Sequence, residues 1–276
     1  MFKKLCWGIL SLCILMLSGC EKSNKETTNA EQDTKQKIIV GATPEPHAIM
    51  LEQIKELLNK EGVILEIKEF TDYVTPNLSL NDGSLDANFF QHQPYLDSFN
   101  KEKGTKLISV GIVHLEPMGV YSNKIKSLEE LKEGDLVSLP NDPSNGARAL
   151  RILEAQGLIT LKESVDLVSI QDIQSNPKNL QFKELDAPQL TRTLNDVAIS
   201  IINTNFALLA NLNPLNDAIA LEDKNSPYAN VLVVKEGRES DEAILKLMRA
   251  LNSPTMKDFI LNQYKGAILP SFQDCN

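Results

Sequence analysis

Aromatic side chains are scarce in this 276-residue chain, at 5%, and the single tryptophan, Trp7, stands close to the start. Cysteine is scarcer still: Cys6, Cys13, Cys20 and Cys275 are the only four, with no C-x-x-C pair among them. That excludes a disulfide-built scaffold and a thiolate metal centre, so stability has to come from core burial. Basic residues do not outnumber acidic ones: 28 Lys and Arg face 37 Asp and Glu, for a net charge of −9. A chain of that balance lacks the basic face that nucleic-acid binding requires. The enzyme motifs G-x-S-x-G, H-E-x-x-H, G-x-x-x-x-G-K-[ST] and G-x-G-x-x-G are all missing. The three histidines, His47, His92 and His114, show no metal-ligand spacing, so no metal or cofactor is expected. A Ser-His-Asp site assembled only by folding would leave no such signature.

Long apolar runs are also missing but for Leu5 to Leu17, which is shorter than the ~20 residues a membrane span needs. Lys3 and Lys4 precede it and Leu17-Ser18-Gly19-Cys20 follows. A positive start, a short apolar stretch and small residues before a cut site read as an export signal over residues 1–19. Ending on Cys20 resembles the lipobox of bacterial lipoproteins. That resemblance implies cleavage before Cys20 and acylation of its thiol and new amino group. An ordinary secreted protein with a chance cysteine is the plainer alternative. Residues 20–36 carry no large aliphatic or aromatic side chain and predict a disordered tether. Several acyl chains would hold such an anchor where one would not.

From Lys37 onward the pattern changes. Lys37 to Gly41 is β-branched and predicts a strand, Thr43 to Pro46 a turn. Met50, Ile54, Leu57 and Leu58 then mark one helix face, ended by Gly62, and Val63 to Phe70 predicts the next strand. Further helices are expected after Ser127, which opens a capping box with Glu130, over Ser144 to Gln156, over Ala187 to Leu194, over Asp241 to Leu251, and from Pro254 to Gly266. Leu136 to Leu139, Ile199 to Ile202 and Val231 to Val234 predict short strands. Strands alternating with helices give an α/β fold. Leu115 to Ser127 and Leu221 to Asn230 are candidate segments where the chain passes between two lobes.

Three groups of residues draw chemical interest. Phe70, Tyr73, Phe89, Phe90, Tyr95 and Phe99 crowd one stretch, with His92 among them. They could be ordinary core. The polar Asn88, Gln91 and Gln93 and Pro94 break both periodicities, so Asn88 to Tyr95 is expected to be a loop presenting aromatics. Asn141 to Arg148 follows a strand and opens a helix, a place that favours an anion. Arg148 lies three residues after Asn145, so both can face one carboxylate, although a capped helix start with a surface Arg would read the same. Asn203 and Asn230 end or precede apolar strands and can offer a carbonyl to an ammonium and an amide to a carboxylate; turn-forming Asn is the alternative.

Taken together, the segments Gly41 to Pro44, Asp72 to Asn77, Leu85 to His92, Asn141 to Asn145, Asn176 to Leu180, Ile202 to Thr204 and Leu221 to Tyr228 resemble the methionine-binding lipoproteins of ABC importers, the NlpA/MetQ family. The likeness runs from about Ile38 to the C-terminus in family order and departs at Glu45 and Gly146. It implies a bilobed periplasmic-binding-protein fold, two α/β lobes on a two-segment hinge with the ligand cleft between them. Lobe 1 would comprise 37–118 and 228–276, and lobe 2 would comprise 119–227. By position, Tyr73, Phe90, His92 and Tyr95 match the thioether pocket, Asn145 and Arg148 the carboxylate grip, and Asn203 and Asn230 the head-group contacts. The implied protein is a monomeric, non-enzymatic receptor, lipid-anchored at the cell membrane and facing the periplasm or exterior. It would capture L-methionine and deliver it to the permease and ATPase of a methionine ABC importer. D-Methionine, methionine sulfoxide or a methionine-containing dipeptide are alternative cargoes. An extracytoplasmic hydrolase and a surface adhesin are alternatives of another class.

Overall fold

A computed structural model describes residues 35–272. The lipobox with Cys20, most of the tether and Cys275 lie outside those residues. The first strand already begins at Gln36, the last residue expected in the tether. Strands are β1 (Gln36–Ala42), β2 (Val63–Glu69), β3 (Ala87–His92), β4 (Leu107–Leu115), β5 (Gly119–Tyr121), β6 (Leu136–Pro140), β7 (Thr160–Leu161), β8 (Ile173–Ser175), β9 (Gln181–Leu185), β10 (Ile199–Ile202), β11 (Ala218–Leu221), β12 (Ala229–Lys235) and β13 (Leu269–Pro270). Helices are α1 (Ile49–Lys60), α2 (Thr75–Asn81), α3 (Gln93–Lys103), α4 (Pro143–Ala155), α5 (Thr204–Leu209), α6 (Pro214–Asp217), α7 (Glu242–Leu251) and α8 (Pro254–Tyr264). None of the described helices is long and apolar enough to cross a membrane.

Two sheets organise the molecule. One has the order β13-β4-β12-β3-β1-β2, the other β11-β5-β10-β6-β9, and β7 pairs separately with β8. In the first sheet β1 runs parallel to β2 and β3, while β12 is antiparallel to β3 and β4. In the second, β6 runs parallel to β9 and β10, and β5 is antiparallel to β10 and β11. The first sheet is covered on both faces. Ile38, Val40, Leu232 and Val234 pack with Met50, Ile54 and Leu58 of α1, Leu247 of α7 and Ile260 of α8. Val231 and Val233 point the other way, to Leu80 and Leu96 of α2 and α3. In the second sheet Val137, Leu139, Ile199 and Ile201 pack with Leu150 and Leu153 of α4. Each such buried side chain contributes ~1.5–3 kcal/mol.

The chain crosses between the sheets twice. Glu116 to Met118 joins β4 to β5, and Glu222 to Tyr228 joins β11 to β12. The result is the bilobed periplasmic-binding fold, two α/β lobes on a two-segment hinge.

Some sequence expectations need correcting. Asn88 to Tyr95 is not a loop: β3 runs to His92, and α3 starts at Gln93 with Pro94 in its first turn. Alternation fails there because β3 is buried on both faces, between β1 and β12. Its polar side chains satisfy one another. Asn77 Nδ2 donates to Gln91 at 2.9 Å, while Asn88 and Gln91 donate to Asn77 Oδ1 at 2.8 and 2.6 Å. The capping box at Ser127 is present, yet it closes only the single turn Leu128–Glu130, not a longer helix. Ala187–Thr193 forms a 3₁₀ helix, one residue shorter than expected. Leu57, expected on the buried face of α1, is exposed.

Candidate functional site

All eight side chains singled out from the sequence line one cavity between the two sheets. Tyr73, Phe90, His92 and Tyr95 come from the β2–α2 link, β3 and α3; Asn230 comes from β12; Asn145 and Arg148 come from α4, and Asn203 follows β10. Gln91, Glu116, Thr204 and Asn205 line it too and were missed in the sequence.

One wall is aromatic. The Tyr73 ring lies 5.8 Å from Phe90 and from Tyr95, and 5.0 Å from Phe206. Asp72 fixes the start of α2 by accepting from the amides of Val74 and Thr75 at 2.8 and 2.7 Å. Tyr95 Oη donates to the Tyr73 carbonyl at 2.9 Å, which locks the loop to α3. Tyr73 Oη reaches across the cleft and donates to Asn205 Oδ1 at 2.6 Å. Burial pushes both phenols well above their ordinary range, so they act as neutral donors.

The opposite wall is polar and begins at the N-terminus of α4. Asp142 caps that helix, accepting from the Asn145 amide at 2.9 Å. Gly146 permits the tight entry, since a Cβ there would sit 3.0 Å from the Pro140 carbonyl. Asn145 Nδ2 donates to both Asp142 oxygens, at 3.1 and 3.0 Å. Its Oδ1 accepts from Asn203 Nδ2 at 2.8 Å and faces His92 Nε2 at 3.1 Å. Asn145 therefore turns an acceptor to the cavity side, not a donor. His92 Nδ1 accepts from the Tyr95 amide at 3.2 Å, so the proton of His92 sits on Nε2. Burial, with Arg148 nearby, drops the His92 pKa to about 3 and keeps the ring neutral.

Arg148 is held from two sides. Its Nε donates to Glu222 Oε1 at 2.8 Å, and Nη2 donates to Glu222 Oε2 and, at 2.7 Å, to the Glu116 carbonyl. The guanidinium stacks 4.4 Å above the Tyr228 ring. Glu222 in turn accepts from the Met118 amide at 3.1 Å and from Ser226 Oγ at 3.0 Å. Arg148 thus ties α4 to both crossing segments, and Nη1 is its one nitrogen without a partner among the described residues.

Two atoms of the cavity are buried and unpartnered: Asn203 Oδ1, an acceptor, and Asn205 Nδ2, a donor. Below them lies Glu116, whose Oε1 is 2.8 Å from His114 Nε2 and 3.3 Å from His47 Nε2. Burial pushes the Glu116 carboxyl up, while His47, Arg148 and the Asn205 amide pull it back. His47, His114 and Glu116 place three donor atoms within 4.8 Å of one another, a spacing a metal could use. Thr43, His47 and Glu116 also line up as hydroxyl, imidazole and carboxylate, with Thr43 Oγ1 2.7 Å from His47 Nδ1. Thr43 is wholly buried and does not line the cavity, so its hydroxyl meets no substrate there.

Comparison with known proteins places this geometry in context. The model of the NlpA lipoprotein family matches residues 38–272. A curated relative, the methionine-binding lipoprotein MetQ of Bacillus subtilis, is 42% identical over 97% of this chain and 98% of its own. The D-methionine-binding lipoprotein MetQ of Escherichia coli K12 is 42% identical over 91% and 92%. Among solved structures, a nutrient-binding protein from Burkholderia cenocepacia bound to methionine superposes with a TM-score of 0.83. It is 46% identical, and the match covers 85% of this chain and all of that one. The chain belongs to the NlpA lipoprotein family.

Proposed function

We propose that this protein is a solute-binding receptor for L-methionine that closes its two lobes around the free amino acid and delivers it to an ABC importer. One observation carries the reading: a cavity between the lobes with an aromatic wall at one end and unpartnered polar atoms of both kinds at the other. A free amino acid has the complementary pattern. Arg148 Nη1 and Asn205 Nδ2 are donors for its carboxylate; Asn203 Oδ1 and the Glu116 carboxylate are acceptors for its ammonium. Asn145 acts by fixing His92 and Asn203, and Asn230 by fixing His47. The thioether lies against Tyr73, Phe90, His92 and Tyr95, where sulfur–aromatic contact favours it by ~0.3–1.5 kcal/mol.

The relatives' names support a methionine cargo. In this reading the lobes divide at 118/119 and 227/228, the chain acts as a monomer by binding without turnover, and acylated Cys20 holds it at the membrane. Calorimetric titration of the full chain in detergent, stripped of ligand by unfolding and refolding, tests the cargo. Tight one-to-one binding of L-methionine with leucine silent is expected. Binding of D-methionine, the sulfoxide or glycyl-methionine in its place reassigns the cargo, and silence of folded protein with all of them refutes the receptor reading.

A further inference from the structure

We propose that His47 and His114 are positioning residues for the ligand's amino group: with Thr43 they form a buried relay of neutral N–H groups that faces the Glu116 carboxylate and holds it aimed into the cavity. The inference rests on the methionine-receptor reading and assigns a role to two histidines that do not line the cavity.

The tautomers follow from the partners. His47 Nε2 lies 3.1 Å from Asn230 Oδ1 and 3.3 Å from Glu116 Oε1, both acceptors, so it carries the proton. His47 Nδ1 is then the acceptor for the Thr43 hydroxyl at 2.7 Å. His114 Nε2 lies 2.8 Å from the same Glu116 oxygen, and its Nδ1 has no partner. Protonating Nδ1 would bury an unmet donor, whereas a bare ring nitrogen costs less, so His114 also carries its proton on Nε2. His114 thus donates to the Glu116 oxygen, while the His47 N–H, bonded to Asn230 Oδ1, faces the same oxygen from 3.3 Å. The rings are packed in place: His47 lies 4.7 Å from Phe89 and 5.0 Å from His114, and Phe89 lies 5.3 Å from His114.

Charge balance points the same way. Groups facing Glu116 are His47 from the turn before α1, His114 from β4, Arg148 from α4 and the Asn205 amide from α5. Glu45 and the Tyr264 phenol, paired at 3.2 Å, feel it from farther off. Arg148 is already neutralised by Glu222, so the carboxylate of Glu116 has no dedicated cation. An ammonium arriving in the cavity supplies one. Neutral imidazole donors favour the ionised form of Glu116 against the burial that pushes its carboxyl up, without cancelling the charge the ammonium needs, which a lysine or a charged histidine in their place would do.

The relay is tested by the pH dependence of L-methionine affinity in the full chain. In the unaltered protein affinity is flat at neutral pH and falls about tenfold per pH unit once free Glu116 takes a proton. His114→Phe keeps the ring packing and removes one donor, and Thr43→Val keeps the shape and frees the His47 tautomer. Both are expected to move that acid limb up, by about one pH unit for His114→Phe. Glu116→Gln is expected to abolish the limb. A limb at the unaltered position in both His114→Phe and Thr43→Val overturns the relay; a purely structural role lowers affinity at every pH alike. The tautomers are checked without ligand by nitrogen-15 NMR of the ring nitrogens. An Nδ1–H form of either histidine overturns the relay even if the cargo reading stands. Failure of the unaltered protein to bind methionine, with Nε2–H found on both rings, refutes the cargo and leaves the carboxylate relay intact.

Discussion

Arg148→Ala is expected to lose stability and affinity together, for separable reasons. Arg148 is buried and Glu222 nearly so, with side chains 3% and 9% exposed. Removing the guanidinium strands the Glu222 carboxylate and the Glu116 carbonyl that it satisfied. Breaking one side of a buried pair costs about 3–5 kcal/mol. For a domain of this size each kcal/mol lowers Tm by about 2–4 °C, so the expected fall is about 6–20 °C. Calorimetric melting without ligand reads this part alone.

Binding loses a second amount, because the ligand carboxylate then enters a closed cavity without its charged partner. An unmet buried carboxylate costs at least ~2 kcal/mol, about thirtyfold in Kd. The paired variant Arg148→Met with Glu222→Leu separates the two effects. Apolar replacement of a buried ion pair is often neutral or better, so stability should return while affinity stays low. An Arg148→Ala protein that melts within ~2 °C of the parent would refute the clamp. Near-parental methionine affinity in either variant would refute the carboxylate grip.

Acid should destabilise the protein from about pH 6.5 downward. Burial lowers His47 to about 4 and His92 and His114 to about 3, against an ordinary value of 6.5, so all three stay neutral in the fold and charge on unfolding. Their contribution is complete above pH ~6.5 and is lost as pH falls toward those values, at up to ~4 kcal/mol per pH unit near pH 5. Protons taken up by the folded Glu45, Glu116 and Asp142, whose carboxyls burial pushes up, reduce that slope; a melting temperature flat from pH 7 to 5 would contradict the assignment. Asn205→Asp turns the free Nδ2 donor into an acceptor beside the ligand carboxylate, and at least a tenfold loss of affinity is expected by titration. Gly119→Ala would place a Cβ 2.6 Å from Tyr121 Cε2, a ring that is 1% exposed, and should cost about 1–3 kcal/mol in thermal melting.

The sequence was most legible where local signals and tertiary packing agree. Ile199–Ile202 is an apolar strand in both readings, and α4 starts at its Asp-Pro pair. It misled where packing overrides alternation. Asn88 and Gln91 look like loop residues, yet they close a buried amide network with Asn77, a long-range pairing that no local window contains. The site divides along the same line. Aromatic crowding and the Asn-x-x-Arg spacing drew notice because they are local. Glu116 went unremarked as one acidic residue between Leu115 and Pro117, although a single carboxylate in an otherwise apolar run was the available signal. Asn205 stands two residues past Asn203, and its Nδ2 is freed only because Tyr73 from the far side of the cleft takes its Oδ1.

The unpartnered atoms also explain why closure would wait for ligand. Tyr73 to Asn205 and His92 to Asn145 are direct bonds between the lobes, so the closed form has polar contacts of its own. Closing without ligand, however, buries Asn203 Oδ1 and Asn205 Nδ2 with nothing to meet them. At ~1–3 kcal/mol for each unmet group, the penalty is about 2–6 kcal/mol. In an open cleft water satisfies both atoms and the penalty vanishes. A ligand that meets both in the closed form gains that difference only there, which is the differential affinity a population shift requires. About 5.5 kcal/mol moves an equilibrium from 1:99 to 99:1, so the upper part of this range suffices before any thioether contact is counted. Filling the two positions with apolar groups, together with Tyr73→Phe so that loss of Asn205 Oδ1 strands no phenol, as in Tyr73→Phe with Asn203→Leu and Asn205→Leu, should therefore favour closure without ligand. Small-angle scattering would read that as a smaller radius of gyration in the ligand-free variant, and a radius that still contracts only on adding methionine would show that the orphaned amides do not hold the cleft open.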